Sequence, residues 1–276
     1  MAIAFDNILI PMDFSLNTEV AIKKAVGMVE SEEALLHLLH VIKPGRHAEP
    51  RFDRWSVENE FEKWLETIRE EYPSVRVKTH VLQGRSVQKM IIECAGMVNP
   101  DLIVIGKKNP PRRWSFLHGV WPGAIAKQSN CPVLTVKPGS ADSRTKIILI
   151  PIRDSLPERK LEWAILLAKK YRAQVHLLAM QEDVDTRDWA LPQVFLKAYH
   201  QLREGLHRPI KYSATGRQST AKAVLDCAEL IMADMILLNP ETESGMPGLA
   251  GYRHISDLLK RDSKIQVLDV EPYKTN

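Results

Sequence analysis

The feature that most constrains this chain is that its pattern of apolar runs occurs twice, in the same order. Ile148-Leu149-Ile150-Pro151 repeats Ile8-Leu9-Ile10-Pro11 at an offset of 140 residues, and Ser155-Leu156 repeats Ser15-Leu16 at that same offset. Val175 to Leu178 answers Leu36 to Leu39, Gly216 to Ser219 answers Gly84 to Ser86 with one residue inserted, and Asp234 to Leu238 answers Asp101 to Ile105. Val267 to Pro272 answers Val133 to Pro138. One apolar run matches another easily by chance, but an ordered series does not. The chain therefore reads as a duplicated domain, 1–139 and 145–276, with the boundary in the polar Gly139-Ser140-Ala141-Asp142-Ser143-Arg144 linker. A length of 276 residues suits two domains of ordinary size.

Within the first half, Phe5 to Met12, Ala34 to Val41, Val75 to Val81, Asp101 to Gly106 and Val133 to Val136 are short apolar or alternating runs. Segments of helix length separate them, with Val20, Ala21, Ala25, Val26 and Val29 at helical spacing in the first and Phe61, Trp64, Leu65 and Ile68 in the second. Fully apolar runs of four to six residues joined through helices mark parallel strands buried on both faces. The expectation is an α/β chain of two doubly wound, five-stranded parallel-sheet domains. Ligands of such folds sit beyond the carboxyl ends of the strands, so the loop after Gly106 is the first place to look for a site.

Composition narrows the function by exclusion. A net charge of +4 is small and dispersed, which argues against nucleic-acid binding. No run approaches the 18 to 20 apolar residues of a membrane span, and the chain enters a strand pattern at once, so a cytoplasmic protein without a leader is expected. Cys94, Cys131 and Cys227 are odd in number and far apart, so neither a disulfide framework nor a zinc site is implied. They read as small hydrophobes, and His37, His40 and His176 read as strand histidines rather than metal ligands. There is no nucleophile elbow, HExxH or P-loop, and Asp13 and Asp154 have no visible partner to make either a general base. No catalytic residue and no metal ligand is assigned.

Ile8 to Ser15, the His37 to Val41 strand, Gly84, Asp101 to Gly106 and Cys131 to Val136 together resemble the universal stress protein domain, and the resemblance covers nearly the whole chain as a tandem pair. It implies sheets of strand order 3-2-1-4-5, of the adenine nucleotide alpha hydrolase-like type. It also implies pairing of the two halves within one molecule through their last strands, with a homodimer of that unit left open.

Nucleotide-binding members of that family carry Gly-x2-Gly-x9-Gly-Ser/Thr after the fourth strand, where backbone N–H groups and a hydroxyl meet the phosphates. Aligned on Gly106, this chain has Asn109 for the second glycine, then Gly119, then Val120 for the hydroxyl residue. Pro110 and Pro111 each remove a donor, and Trp114, Phe116 and Trp121 add bulk. Asp13 stands at the adenosine-contacting position; the second half has Arg153 there and Asn239-Pro240 after its fourth strand. The cofactor-binding candidates are thus Asp13, Gly106, Asn109, Gly119 and Val120. Lys107, Lys108, Arg112 and Arg113 are expected as exposed point charges around that loop. The reading is a non-enzymatic stress-response module with a degenerate nucleotide loop, no bound cofactor and an unidentified protein partner. The alternative is a sensor that holds ATP or another anion in the first-half loop, with slow hydrolysis.

Overall fold

The computed structural model describes residues 5–29, 31, 33–44, 54–107, 120–141, 144–180, 191–215, 220–240, 242–243, 245–248, 251–260 and 262–273. The chain divides into two compact units, Met1–Ala141 with Arg261–Ser263, and Asp142–Lys260 with Lys264–Asn276.

The first unit contains β1 (Asn7–Pro11), α1 (Leu16–Met28), β2 (Leu35–Ile42), α2 (Arg54–Glu71), β3 (Arg76–Gln83), α3 (Val87–Val98), β4 (Leu102–Gly106), α4 (Pro122–Ser129) and β5 (Val133–Val136). The strands are parallel in the order β3-β2-β1-β4-β5, as expected. Alternation of side chains across a strand sends one set to each face. Leu9, Leu39, Val41, Ile103, Ile105 and Val133 pack under α3 and α4, against Ile91, Cys94, Ile125 and Ala126. On the sheet, α1 lies against β1, β4 and β5, and α2 against β3. Because Ile8, Leu9 and Ile10 are buried on both faces, β1 needs no polar alternation, and its run of branched residues suits a central strand.

Asp101 bolts this sheet together. Its Oδ2 accepts the backbone N–H groups of Asp6 at 3.1 Å and Asn7 at 2.9 Å, tying the entry of β4 to the start of β1. Burial pushes its carboxyl above the ordinary range, and the two N–H donors oppose that shift. Both α3 and α4 end on an asparagine in the left-handed region, Asn99 and Asn130, a conformation this residue tolerates better than most.

The second unit contains β6 (Ile147–Ile152), α5 (Glu158–Tyr171), β7 (Gln174–Met180), α6 (Gln193–Leu206), β8 (Lys211–Thr215), α7 (Thr220–Leu230), β9 (Met235–Leu238), β10 (Gly245–Gly248), β11 (Gly251–His254), α8 (Ile255–Leu258) and β12 (Gln266–Asp269). Its parallel strands run β8-β7-β6-β9-β12, the same order as in the first unit. The bolt recurs: Asp234 Oδ2 accepts from Lys146 N at 2.7 Å and Ile147 N at 2.9 Å. One departure stands out. Between β9 and α8 the chain forms an antiparallel hairpin, β10 with β11, in register Gly245↔His254 to Gly248↔Gly251. The sequence reading had no strand there, because glycines and a proline mask the extended pattern. No helix among the described residues is long and apolar enough to cross a membrane.

Candidate functional site

In the first unit the candidate positions gather at the carboxyl ends of β1 and β4. Asp13 follows β1 and is drawn into the start of α1. Its Oδ1 accepts from Ser15 N at 3.2 Å, from the Ser15 hydroxyl, and from Thr18 Oγ1 at 3.0 Å. Ser15 in turn caps α1 by accepting from Asn17 N. The turn places Phe14 at φ 55°, where its ring stacks on His40 at 4.8 Å and meets Phe61 edge-on at 5.3 Å. His40 Nδ1 lies 3.0 Å from the Met12 carbonyl and donates to it. Burial holds this imidazole below its ordinary pKa, outweighing that carbonyl and Asp13. Asp13 is thus the anchor of a helix cap before it is anything else.

Gly106 ends β4 with its backbone against α1. A Cβ there would stand 1.9 Å from the carbonyl oxygen of Asn17 and 2.5 Å from its carbonyl carbon. The glycine is required by packing, independently of any phosphate. Val120 is 5% exposed and lies in the apolar cluster with Val87, Ile91 and Ile125, so it serves the core at the place where a hydroxyl was sought. Asn109 and Gly119 lie outside the described residues, as do Lys108, Arg112, Arg113, Pro110, Pro111, Trp114 and Phe116. Lys107 corrects the expectation of exposed charge. It is 5% exposed, its N–H donates to Val136 O at 2.9 Å, and its Nζ reaches Val120 O at 3.4 Å. Following β4 directly, it is pulled inside by the ladder to the end of β5.

The second unit treats the corresponding corner differently. Asn239 occupies the Gly106 position and is 9% exposed. The helix that would collide with its side chain begins later: α5 starts at Glu158, the repeat counterpart of Thr18, whereas α1 starts at Leu16. Lys160 projects from α5 at the repeat position of Val20. Its Nζ donates to Pro151 O at 2.7 Å and to Glu243 Oε1 and Oε2 at 2.9 and 2.7 Å. Glu243 Oε2 also accepts from Asn239 N at 2.7 Å, and Glu243 N donates to Asn239 O at 3.0 Å. Burial pushes the Glu243 carboxyl up and the Lys160 ammonium down, each opposed by the partner's charge. Arg153, in the Asp13 position, donates from Nη1 to Thr242 O at 3.3 Å and lies 3.4 Å from Asp154.

Elsewhere in the second unit His254 caps α8. Its Nδ1 accepts from Ser256 N at 3.1 Å and stands 2.7 Å from Ser256 Oγ, and its Nε2 donates to Asp269 Oδ1 at 3.0 Å. A serine, a histidine and an aspartate in contact invite a nucleophilic reading. All three are at most 1% exposed, however, and the serine sits on the nitrogen that already accepts a backbone N–H, so the arrangement is a helix cap. Sequence reasoning missed Lys160, Glu243, His254 and Asp269. The available signal was charge at uncharged repeat positions: lysine for Val20, and an acid within a strand where the first half has Thr135.

The strand histidines bond to the neighbouring strand. His37 Nδ1 lies 2.8 Å from His80 Nε2, and His176 Nε2 lies 2.9 Å from Ser213 Oγ. Burial, then His80 and Lys78, lower the His37 pKa to about 4. The three cysteines are buried and free, and burial lifts the Cys94 thiol to about 11, so it is no nucleophile near neutral pH. Among the described residues no three His, Cys, Asp or Glu side chains gather as a metal site.

A universal stress protein from Archaeoglobus fulgidus superposes with a TM-score of 0.66 at 19% identity, covering 98% of each chain. A protein of unknown function from Pseudomonas aeruginosa gives 0.63 at 16%, covering 98% of this chain and 94% of that one. The cytoplasmic domain of a prokaryotic cation chloride cotransporter gives 0.57 at 15%, covering 96% and 95%. At these identities the likeness is one of fold. A search of curated proteins returns no significant match. The model of the universal stress protein family matches residues 4–137, which is the first unit almost from end to end. The first unit is therefore a universal stress protein domain, and the second unit repeats its strand order and its aspartate bolt.

Proposed function

We propose that this chain is a non-catalytic stress-response module that acts through contacts with other proteins, its nucleotide loop degenerate. The observation that supports this reading is that every described candidate position is engaged by the fold. Asp13 holds the cap of α1, Gly106 backs onto Asn17, and Val120 lies in the core. A phosphate cradle works by converging donors, each charge-assisted bond contributing roughly 1.5–3 kcal/mol. Loss of the hydroxyl at Val120 and of the donors at Pro110 and Pro111 weakens such a cradle by about 3 kcal/mol or more, on the order of a hundredfold in affinity.

The second reading is a sensor for ATP or another anion in the first unit. What favours it is the buried ammonium of Lys107, which brings a cation to the carboxyl end of β4. Titration of ATP into nucleotide-free protein at physiological salt, followed by calorimetry, separates the two. The contact module predicts no saturable heat at micromolar ATP. A dissociation constant in the low micromolar range, abolished by Asp13→Ala, establishes the sensor instead. The proposal includes a cytoplasmic location, the two halves working as an intramolecular pair, and an unidentified protein partner.

A further inference from the structure

The corner of the second unit at the ends of β6 and β9 differs from its repeat counterpart in charge as well as shape. Where the first unit has Val20 and the carboxylate of Asp13, the second has the cations Lys160 and Arg153. Lys160 and a strand-end N–H, that of Asn239, converge there on one carboxylate, while Arg153 bonds the carbonyl of the residue before it and lies against Asp154. Lys160 has three N–H bonds to give, and all three are placed, one on Pro151 O and two on Glu243. Arg153 bonds one residue earlier, donating to Thr242 O at 3.3 Å. Lys160 and Glu243 are 1% and 3% exposed, so neither charge is tolerable without the other.

We propose that Lys160 and the Asn239 N–H form a built anion site flanked by Arg153, and that Glu243 is its tethered occupant, so that the second unit is self-liganded. The site takes one small oxyanion of carboxylate or phosphate size. The carboxylate reaches it from its own loop, whose backbone is already fixed by the bond from Glu243 N to Asn239 O, so a free anion does not displace it. Emptied of that carboxylate, the same groups bind an anion from solution. This inference concerns the second unit alone and does not depend on how the first unit treats ATP.

The test is the full-length Glu243→Ala protein, unfolded thermally in acetate, inorganic phosphate or chloride at matched ionic strength. It is expected to melt below wild type in chloride. It should regain about 3–6 °C in 100 mM acetate or phosphate, as for a ligand binding the folded state with a dissociation constant of about 10 mM. Wild type should show no difference between the anions. A Glu243→Ala protein that folds only with acetate or phosphate also supports the site; one that is unfolded in every salt refutes it. The double variant Lys160→Met with Glu243→Leu removes both charges while keeping bulk, and it should fold without any anion-specific response. Equal responses from the double and single variants, or none from Glu243→Ala, would show the pair to be a plain structural ion pair.

Discussion

Replacing Gly106 by alanine tests whether this glycine serves packing or a ligand. The added Cβ would lie 1.9 Å from the Asn17 carbonyl oxygen, while the preferred separation of such atoms is about 3.5 Å. The obstacle is backbone at the first turn of α1, so no rotamer change removes it; helix or strand must move by more than an ångström. That movement disturbs the cap built from Asp13, Ser15 and Thr18, whose bonds hold the same turn. Overpacking of this kind costs about 1–3 kcal/mol, and rigid backbone on both sides puts it near the upper end. The expected result is a first-unit urea midpoint lower by about 1–2 M, with faster amide exchange in α1 and β4, in protein free of any nucleotide. Asn239→Gly, its counterpart where α5 starts later, should change the second unit by under about 1 kcal/mol. If Gly106→Ala leaves ligand-free stability within 0.5 kcal/mol (roughly the noise of surface substitutions), the packing argument is refuted and the glycine belongs to a ligand.

Asp101→Ala should destabilise the first unit by about 2–4 kcal/mol, since two backbone donors lose a charged acceptor, and Asp101→Asn should recover part of it; urea unfolding reads both. Asp234→Ala should do the same to the second unit alone. For His37, whose folded pKa is about 4 against 6.5 unfolded, the stabilising contribution is whole above pH 6.5. It falls away between 6.5 and 4 as the unfolded chain takes up the proton first. After allowance for screening the loss is about 1–2 kcal/mol, and His80→Ser, which installs the second unit's Ser213, should shrink it in a pH series of melting curves.

The strands and their order could be read because the evidence for them is local and repeated. Ile8 to Pro11 and Ile148 to Pro151 declare a central strand by composition alone, and Asp101 and Asp234 sit visibly at the head of the fourth strand. Long-range side-chain chemistry left little trace. Lys160 and Glu243 are 83 residues apart, and charged residues are expected outside unless a partner is known. Lys107 looked exposed for the same reason, as one of a basic run. Val120 could be read as a lost hydroxyl but not as a core residue, because the helix that buries it begins only two residues later. The hairpin of the second unit was hidden by its glycines, which carry no strand propensity of their own.

The position of β1 at the middle of its sheet has a consequence during synthesis. One neighbour, β2, follows within a few tens of residues, but the other, β4, is reached only when the ribosome has passed Asp101, whose bond to Asp6 spans 95 residues. At about 5–20 residues per second, the nascent chain carries one bare edge of an apolar central strand for roughly 5–20 s. The second half then repeats the interval with β6 and β9. Nascent-chain quality control therefore has two windows in which to engage this protein, each closing when an aspartate reaches the start of a strand made long before.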